Sequence, residues 1–326
     1  MPSTDTTTVT SPTTPSQCKK TSPRSRVSPT PPTGQPRRRG LRIVVASYGR
    51  AQLDFVTQVL TAHGHTVIAQ TMSRSMRPNS PLDPDMASAV KDVAGTCPAI
   101  IDLMLPASAE ALSEAMAGYR PDLLIVYGFN WRLPAATRDL PYLGTLNIHG
   151  SLLPSWRGPA PVPQAILAGE TDLGLSIHRM NEHIDAGPVL AQSRGITIPW
   201  RVLPADVWHA TQPVLARLLP HALHQLIDGA PGQEQDEAQA TWAPMPTLKD
   251  DCFTISTWHA PRAELHRRIR LAGFLNHGLG PIVELDGKLV RATASSLDPA
   301  PGPAQVQCAD GPLWLTDIQQ IPDHRQ

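Results

Sequence analysis

The chain of 326 residues has few charges, at 17%, and few aromatics, at 5%. Its four cysteines, Cys18, Cys97, Cys252 and Cys308, lie far apart with no CxxC pair. That spacing excludes a zinc-finger arrangement and a disulfide framework. His178 and His183 stand five apart, not at the i, i+4 spacing of a helical metal pair, so no metal site is expected. No apolar run approaches the ~20 residues of a membrane helix. There is no GxGxxG after the first strand-like segment, which runs on into Ser47-Tyr48-Gly49-Arg50. A dinucleotide is therefore not called for.

Lysine is scarce, at five residues against 23 arginines, and the formal net charge of zero conceals a split. Residues 1–40 hold seven basic groups and one acid, leaving 21 basic and 27 acidic residues in 41–326. A body near −6 is not built to grip a polyanion such as DNA. The first 40 residues are rich in Ser, Thr, Pro and Arg and read as a disordered tail. The scattered cysteines fit a reducing compartment, and a cytoplasmic protein is expected.

What is present reads as α/β. Leu41–Ser47 has the short β-branched pattern of a buried parallel strand, followed by a helix over Gln52–Ala62 and a strand over Thr66–Ala69. That order implies a right-handed crossover and a Rossmann-like, doubly wound sheet. Residues 71–98 are polar and turn-rich, and Glu110–Gly118 is helical. Asp122–Tyr127 and Gly144–His149 are further strands, and Val207–Leu226 is a long helix with an apolar side. The boundaries expected are a catalytic domain over 41–228, a linker over 229–250 and a small β-rich domain over 251–326. In the last, Asp286-Gly287 between alternating runs signals a hairpin.

The chemistry concentrates between Asn147 and Leu190. Asn147 and His149 stand at i and i+2 at a strand's end, so both face one side. Such strand ends are where open α/β sheets collect ligands. Asp185, before Ala-Gly, sits on a later loop able to reach the histidine. Singly, Asn147 reads as a turn cap, His149 as a core histidine and Asp185 as a turn acid. Together they read as an amide donor beside a His–Asp pair.

The run Asn147-Ile148-His149-Gly150-Ser151-Leu152-Leu153-Pro154-Ser155-Trp156-Arg157-Gly158, followed by Asp185-Ala186-Gly187, resembles the formyltransferase family. That family includes methionyl-tRNA formyltransferase, sugar N-formyltransferases and formyltetrahydrofolate hydrolases. The resemblance implies a formyltransferase catalytic domain followed by an OB-like barrel, and 10-formyltetrahydrofolate as formyl donor. By the same resemblance Asn147, His149 and Asp185 are catalytic, and Tyr127, Phe129, Leu133, Met180, Glu182 and Ile184 line the folate pocket. Arg157 and Ser151 are the expected substrate contacts.

An amine attacks the formyl carbon in this chemistry. Asn147 is then the donor to the formyl oxygen, His149 a second donor or the proton carrier, and Asp185 its support. Two features separate the chain from a tRNA enzyme. Residues 71–85 have only two basic groups, and 251–326 hold seven basic residues against eight acids. Phe129-Asn130-Trp131-Arg132 is longer than the tRNA enzyme's version and resembles small-molecule members. The acceptor expected is a small amine, an amino sugar or a hydroxylated ornithine-type amino acid. Methionyl-tRNA is the alternative, followed by folate hydrolysis or a non-catalytic relative. His266, Arg267, Arg268, Arg270 and His277 form the one basic spot that could serve an acceptor.

Overall fold

The computed structural model describes residues 40–82, 84–199, 201–246 and 253–321. The tail expected over 1–40 lies, but for Gly40, outside the described residues. Seven strands form the main sheet: β1 (Arg42–Ser47), β2 (Thr66–Thr71), β3 (Asp102–Met104), β4 (Leu123–Tyr127), β5 (Thr145–His149), β6 (Asp172–Arg179) and β7 (Val189–Thr197). Their order is β3-β2-β1-β4-β5-β6-β7. The first five are parallel, and β6 and β7 join antiparallel.

Helices α1 (Arg50–Ala62), α2 (Pro84–Thr96), α3 (Ala109–Tyr119), α4 (Ala135–Arg138), α5 (Pro161–Ala168) and α6 (Pro204–Ile227) complete this part. Alternation along the strands sends neighbours to opposite layers. Ile43, Val45, Leu123 and Ile125 join one core with residues of α1 and α6, while Val44, Ala46, Leu124 and Val126 join another with Leu112 and Met116 of α3. Continuous apolar runs are what a parallel sheet covered on both faces requires.

The polar 71–98 stretch contains a helix, α2, because Val90 and Val93 bury a narrow stripe against the first core. Strands β6 and β7 were not legible as strands, since the loop motif that follows β5 dominates the reading there.

The second sheet has the order β11-β12-β10-β9-β8, from β8 (Thr254–Ile255), β9 (Ile282–Leu285), β10 (Lys288–Ser296), β11 (Ala304–Cys308) and β12 (Gly311–Gln320). Asp286 and Gly287 both take positive φ, at 49° and 75°, and close the two-residue hairpin between β9 and β10. Helix α7 (Arg262–Leu275) serves both cores. Leu265 and Ile269 enter the core of the second sheet, while Leu271 and Phe274 pack on the first.

The arginines of α7 make structural bonds. Arg267 donates to the Leu167 carbonyl, Arg268 to that of Thr254 and Arg270 to that of Pro199. His266 pairs with Ser295 Oγ at 2.9 Å. The basic spot is thus occupied in joining elements.

Residues 229–246, which composition marks as linker, form a strap across the main sheet's loops. Gln233 exchanges backbone bonds with Val189. Thr241 accepts from the Trp156 and Arg157 amides, through Oγ1 and the carbonyl respectively. Residues 247–250 of that stretch lie outside the described residues.

Candidate functional site

Asn147 and His149 stand at the carboxyl end of β5, where the sheet changes from parallel to antiparallel. Asn147 is the cross-strand partner of His178 on β6, so their side chains share a face. The loop after β6 returns Asp185 to the same point. Asp185 takes a left-handed φ of 53°, and Gly187 follows it. A Cβ on Gly187 would lie 1.8 Å from the Arg179 carbonyl oxygen, so only glycine lets the loop close against β6.

The Asp185 carboxylate is the hub. Oδ1 accepts from Asn147 Nδ2 at 3.0 Å, and Oδ2 accepts from the Gly158 amide at 2.8 Å. His149 Nδ1 lies 3.6 Å from Oδ2, and His178 Nε2 3.5 Å from Oδ1. Asn147 Nδ2 also meets His178 Nε2 at 3.1 Å. His178 Nδ1 donates to the Arg179 carbonyl at 2.9 Å, which leaves its Nε2 as the acceptor of the amide hydrogen. His149 Nε2 donates to the Trp156 carbonyl at 2.8 Å. From the strap, Gln235 Nε2 donates to the carbonyls of Asp185 and Gly187 and fixes the acid's backbone.

Burial acts on both titrating partners. It pushes the His149 imidazolium down from 6.5, and the Asp185 charge and Trp156 carbonyl only partly restore it. Burial alone would raise Asp185. The His178 and His149 imidazoles beside it and the Gly158 amide outweigh that and hold the carboxyl below its ordinary value. The favoured state is a carboxylate beside a neutral imidazole.

These residues open on a cleft of about 660 Å³. Phe129, Leu133, Met180, Glu182 and Ile184 line it, and Arg132 ties its two loops together by donating to the Glu182 carbonyl. The Phe129 and Trp131 rings meet edge to face at 5.5 Å. The slot between these residues is mainly apolar, as binding sites for flat ring systems commonly are.

Tyr127 lines the cleft from the opposite layer, and the two expected substrate contacts, Ser151 and Arg157, lie outside its described lining. The Tyr127 side chain turns to the other layer, 5.8 Å from Trp208, because alternation on β4 separates it from Val126 and Gly128 follows it. Ser151 is buried and donates to the Ser155 carbonyl. Arg157 is buried, and its guanidinium grips Glu237 through both terminal nitrogens and Gln235 through Nε. Both hold the loop's shape. His178 is the residue sequence reasoning passed over as a site residue. Only the pairing of β5 with β6 brings it to the site, seven residues before Asp185 in the chain.

An amide, an imidazole and a carboxylate thus cluster at the cleft, where an amide hydrogen, a proton carrier and a fixed negative charge act on one reacting centre. The match to the formyl transferase family model spans residues 41–203. A methionyl-tRNA formyltransferase of Pseudomonas fluorescens is 33% identical over 300 residues, covering 86% of this chain and 89% of its own. The chain belongs to the formyl transferase family and is an enzyme of formyl transfer.

Solved structures share the fold. HypX of Aquifex aeolicus in complex with tetrahydrofolic acid matches with a TM-score of 0.57 and 18% identity over 86% of this chain. This chain spans 44% of the HypX chain's length. A sugar N-formyltransferase from a Shewanella species matches with a TM-score of 0.55 and 17% identity, over 77% of this chain and 96% of its own.

Proposed function

We propose that the chain transfers the formyl group of 10-formyltetrahydrofolate to the amine of a small molecule, in the cytoplasm. The observation that carries the reading is the Asn147–His149–Asp185 cluster at the mouth of the apolar slot. The donor supplies a formyl carbon already bonded to nitrogen. Phe129, Leu133, Met180 and Ile184 hold its ring system, and the Glu182 carbonyl, fixed by Arg132, shapes the slot.

Asn147 directs one amide hydrogen to Asp185 and the other to His178 Nε2. The second, bound to a neutral acceptor, is the one that turns to the formyl oxygen as charge gathers there. Neutral His149, whose Nε2 keeps its hydrogen on the Trp156 carbonyl, takes at Nδ1 the proton that the attacking amine sheds and returns it to the departing nitrogen. Asp185 stabilises the charged imidazole in between, since a carboxylate 3.6 Å away favours the cation.

The small acceptor is supported by the engagement of Arg267, Arg268 and Arg270 with backbone carbonyls, which takes them away from a phosphate backbone. The 33% identity with a relative named for methionyl-tRNA favours tRNA as a second reading. Turnover of 10-formyltetrahydrofolate, followed spectrophotometrically with small amines and with methionyl-tRNA in separate assays, decides between them. Formylation of methionyl-tRNA alone rejects the small acceptor, and turnover without any amine rejects amine transfer.

A further inference from the structure

The cleft continues past the catalytic cluster, round the carboxyl edge of the sheet, into the layer between β4–β6 and α6. There Leu173, Ile196, Val207, Trp208 and Phe274 line it. Trp208 stacks edge to face on Phe55 at 5.5 Å and meets Tyr127 at 5.8 Å, which gives the pouch an aromatic wall. Phe274, from α7, closes this wall from the second half of the chain. Tyr48, Trp242 and Met245 stand about half exposed at the mouth.

The charges are segregated. Among the described lining residues, Arg132 and Glu182 lie on the folate flank and Asp185 at the centre, and the flank from Tyr48 to Phe274 has no Asp, Glu, Lys or Arg. A phosphate or sugar-nucleotide seated there would lose its water without gaining a cationic side chain, only neutral donors such as those of Tyr48, Gln52 and Thr211. An apolar group gains by the same desolvation. Resting on the small-amine reading above, we propose that this flank seats the acceptor, and that the acceptor is a primary amine on an uncharged, apolar body. Its nitrogen projects back to His149 while its body fills the pouch. The uncharged wall also favours the neutral, nucleophilic amine over its ammonium form. The amine nitrogen bonds to the formyl carbon, the bond to the folate nitrogen breaks, and one proton passes from the former nitrogen to the latter.

The test is calorimetric titration of the full chain with primary alkyl amines from butylamine to decylamine, and with tetrahydrofolate. Affinity is expected to rise about threefold to fourfold per methylene. Leu173→Trp, which fills the pouch, is expected to weaken the tightest amine by about tenfold or more, with tetrahydrofolate binding unchanged. Phe274→Ala, which lengthens the pouch, is expected to move the optimum to a longer chain. Affinity independent of chain length, tighter binding of glucosamine than of any alkyl amine, or an optimum that Phe274→Ala leaves in place overturns the proposal. Chain-length-dependent binding without formyl transfer to any amine leaves the pouch standing and rejects the small-amine reading instead.

Discussion

His178 Nε2 lies 3.1 Å from Asn147 Nδ2 and, through its other nitrogen, donates to the Arg179 carbonyl. The backbone bond selects the tautomer, and the tautomer makes His178 an acceptor that aims the Asn147 amide. His178→Ala is expected to lower kcat about tenfold, the worth of one aligned hydrogen bond. His178→Gln, whose amide oxygen can accept, is expected to recover part of that. A steady-state comparison of kcat and KM in both variants checks it, and equal losses in the two would assign His178 a purely structural role.

Removal of the proton carrier should be far more severe. His149→Ala is expected to reduce kcat by about 10²–10⁴, and Asn147→Ala by about 10²–10³, with circular dichroism unchanged. Wild-type-like turnover in the His149 variant would reject the mechanism.

The acid limb of activity follows from the lowered His149 pKa. Below that pKa the imidazole is already charged and cannot take the amine's proton, so kcat falls with falling pH, with a midpoint under 6.5. Asp185→Asn removes the charge that raises the imidazole's pKa, so residual activity should persist to lower pH than in the wild type. A pH–rate profile of both proteins shows the shift, and movement of the limb to higher pH contradicts the assignment.

Arg157 tests whether the strap holds the acid loop. Arg157→Ala releases Glu237 and Gln235, the second of which also holds the Asp185 and Gly187 carbonyls. Limited proteolysis should then cut faster within 229–246. Activity should fall roughly tenfold through misplacement, less than in the catalytic variants. Unchanged cleavage would show that the strap is held by its other bonds.

His266 gives a stability signature separate from catalysis. Burial, with Arg270 and Arg267 nearby, lowers it from 6.5 to about 4. Between those values the unfolded chain binds a proton that the folded chain does not, so stability is full above pH 6.5 and declines as pH falls toward 4. The loss amounts to at most about 3 kcal/mol. Urea midpoints of wild type and His266→Gln across this range should converge as pH falls.

The sequence alone determined much of this protein. The apolar runs of β1 and β4 announce a covered parallel sheet, since local composition suffices when both faces are buried. Asn147, His149 and Asp185 were legible as a group from the motif's residue types and spacing, and the structure brings them together. The tertiary structure decided the rest. The pairing of β5 with β6 made His178 a partner of Asn147, and no local pattern marks a contact across 31 residues. Likewise a Gln- and Pro-rich stretch became a strap only because Thr241, Gln235 and Glu237 found partners on the loops around Asp185. The pleat of β4 aims the Tyr127 side chain at the layer of Trp208, and long-range packing joins the Arg157 guanidinium to Glu237, 80 residues away. Residue chemistry fixed which groups could react, and long-range packing fixed which of them meet.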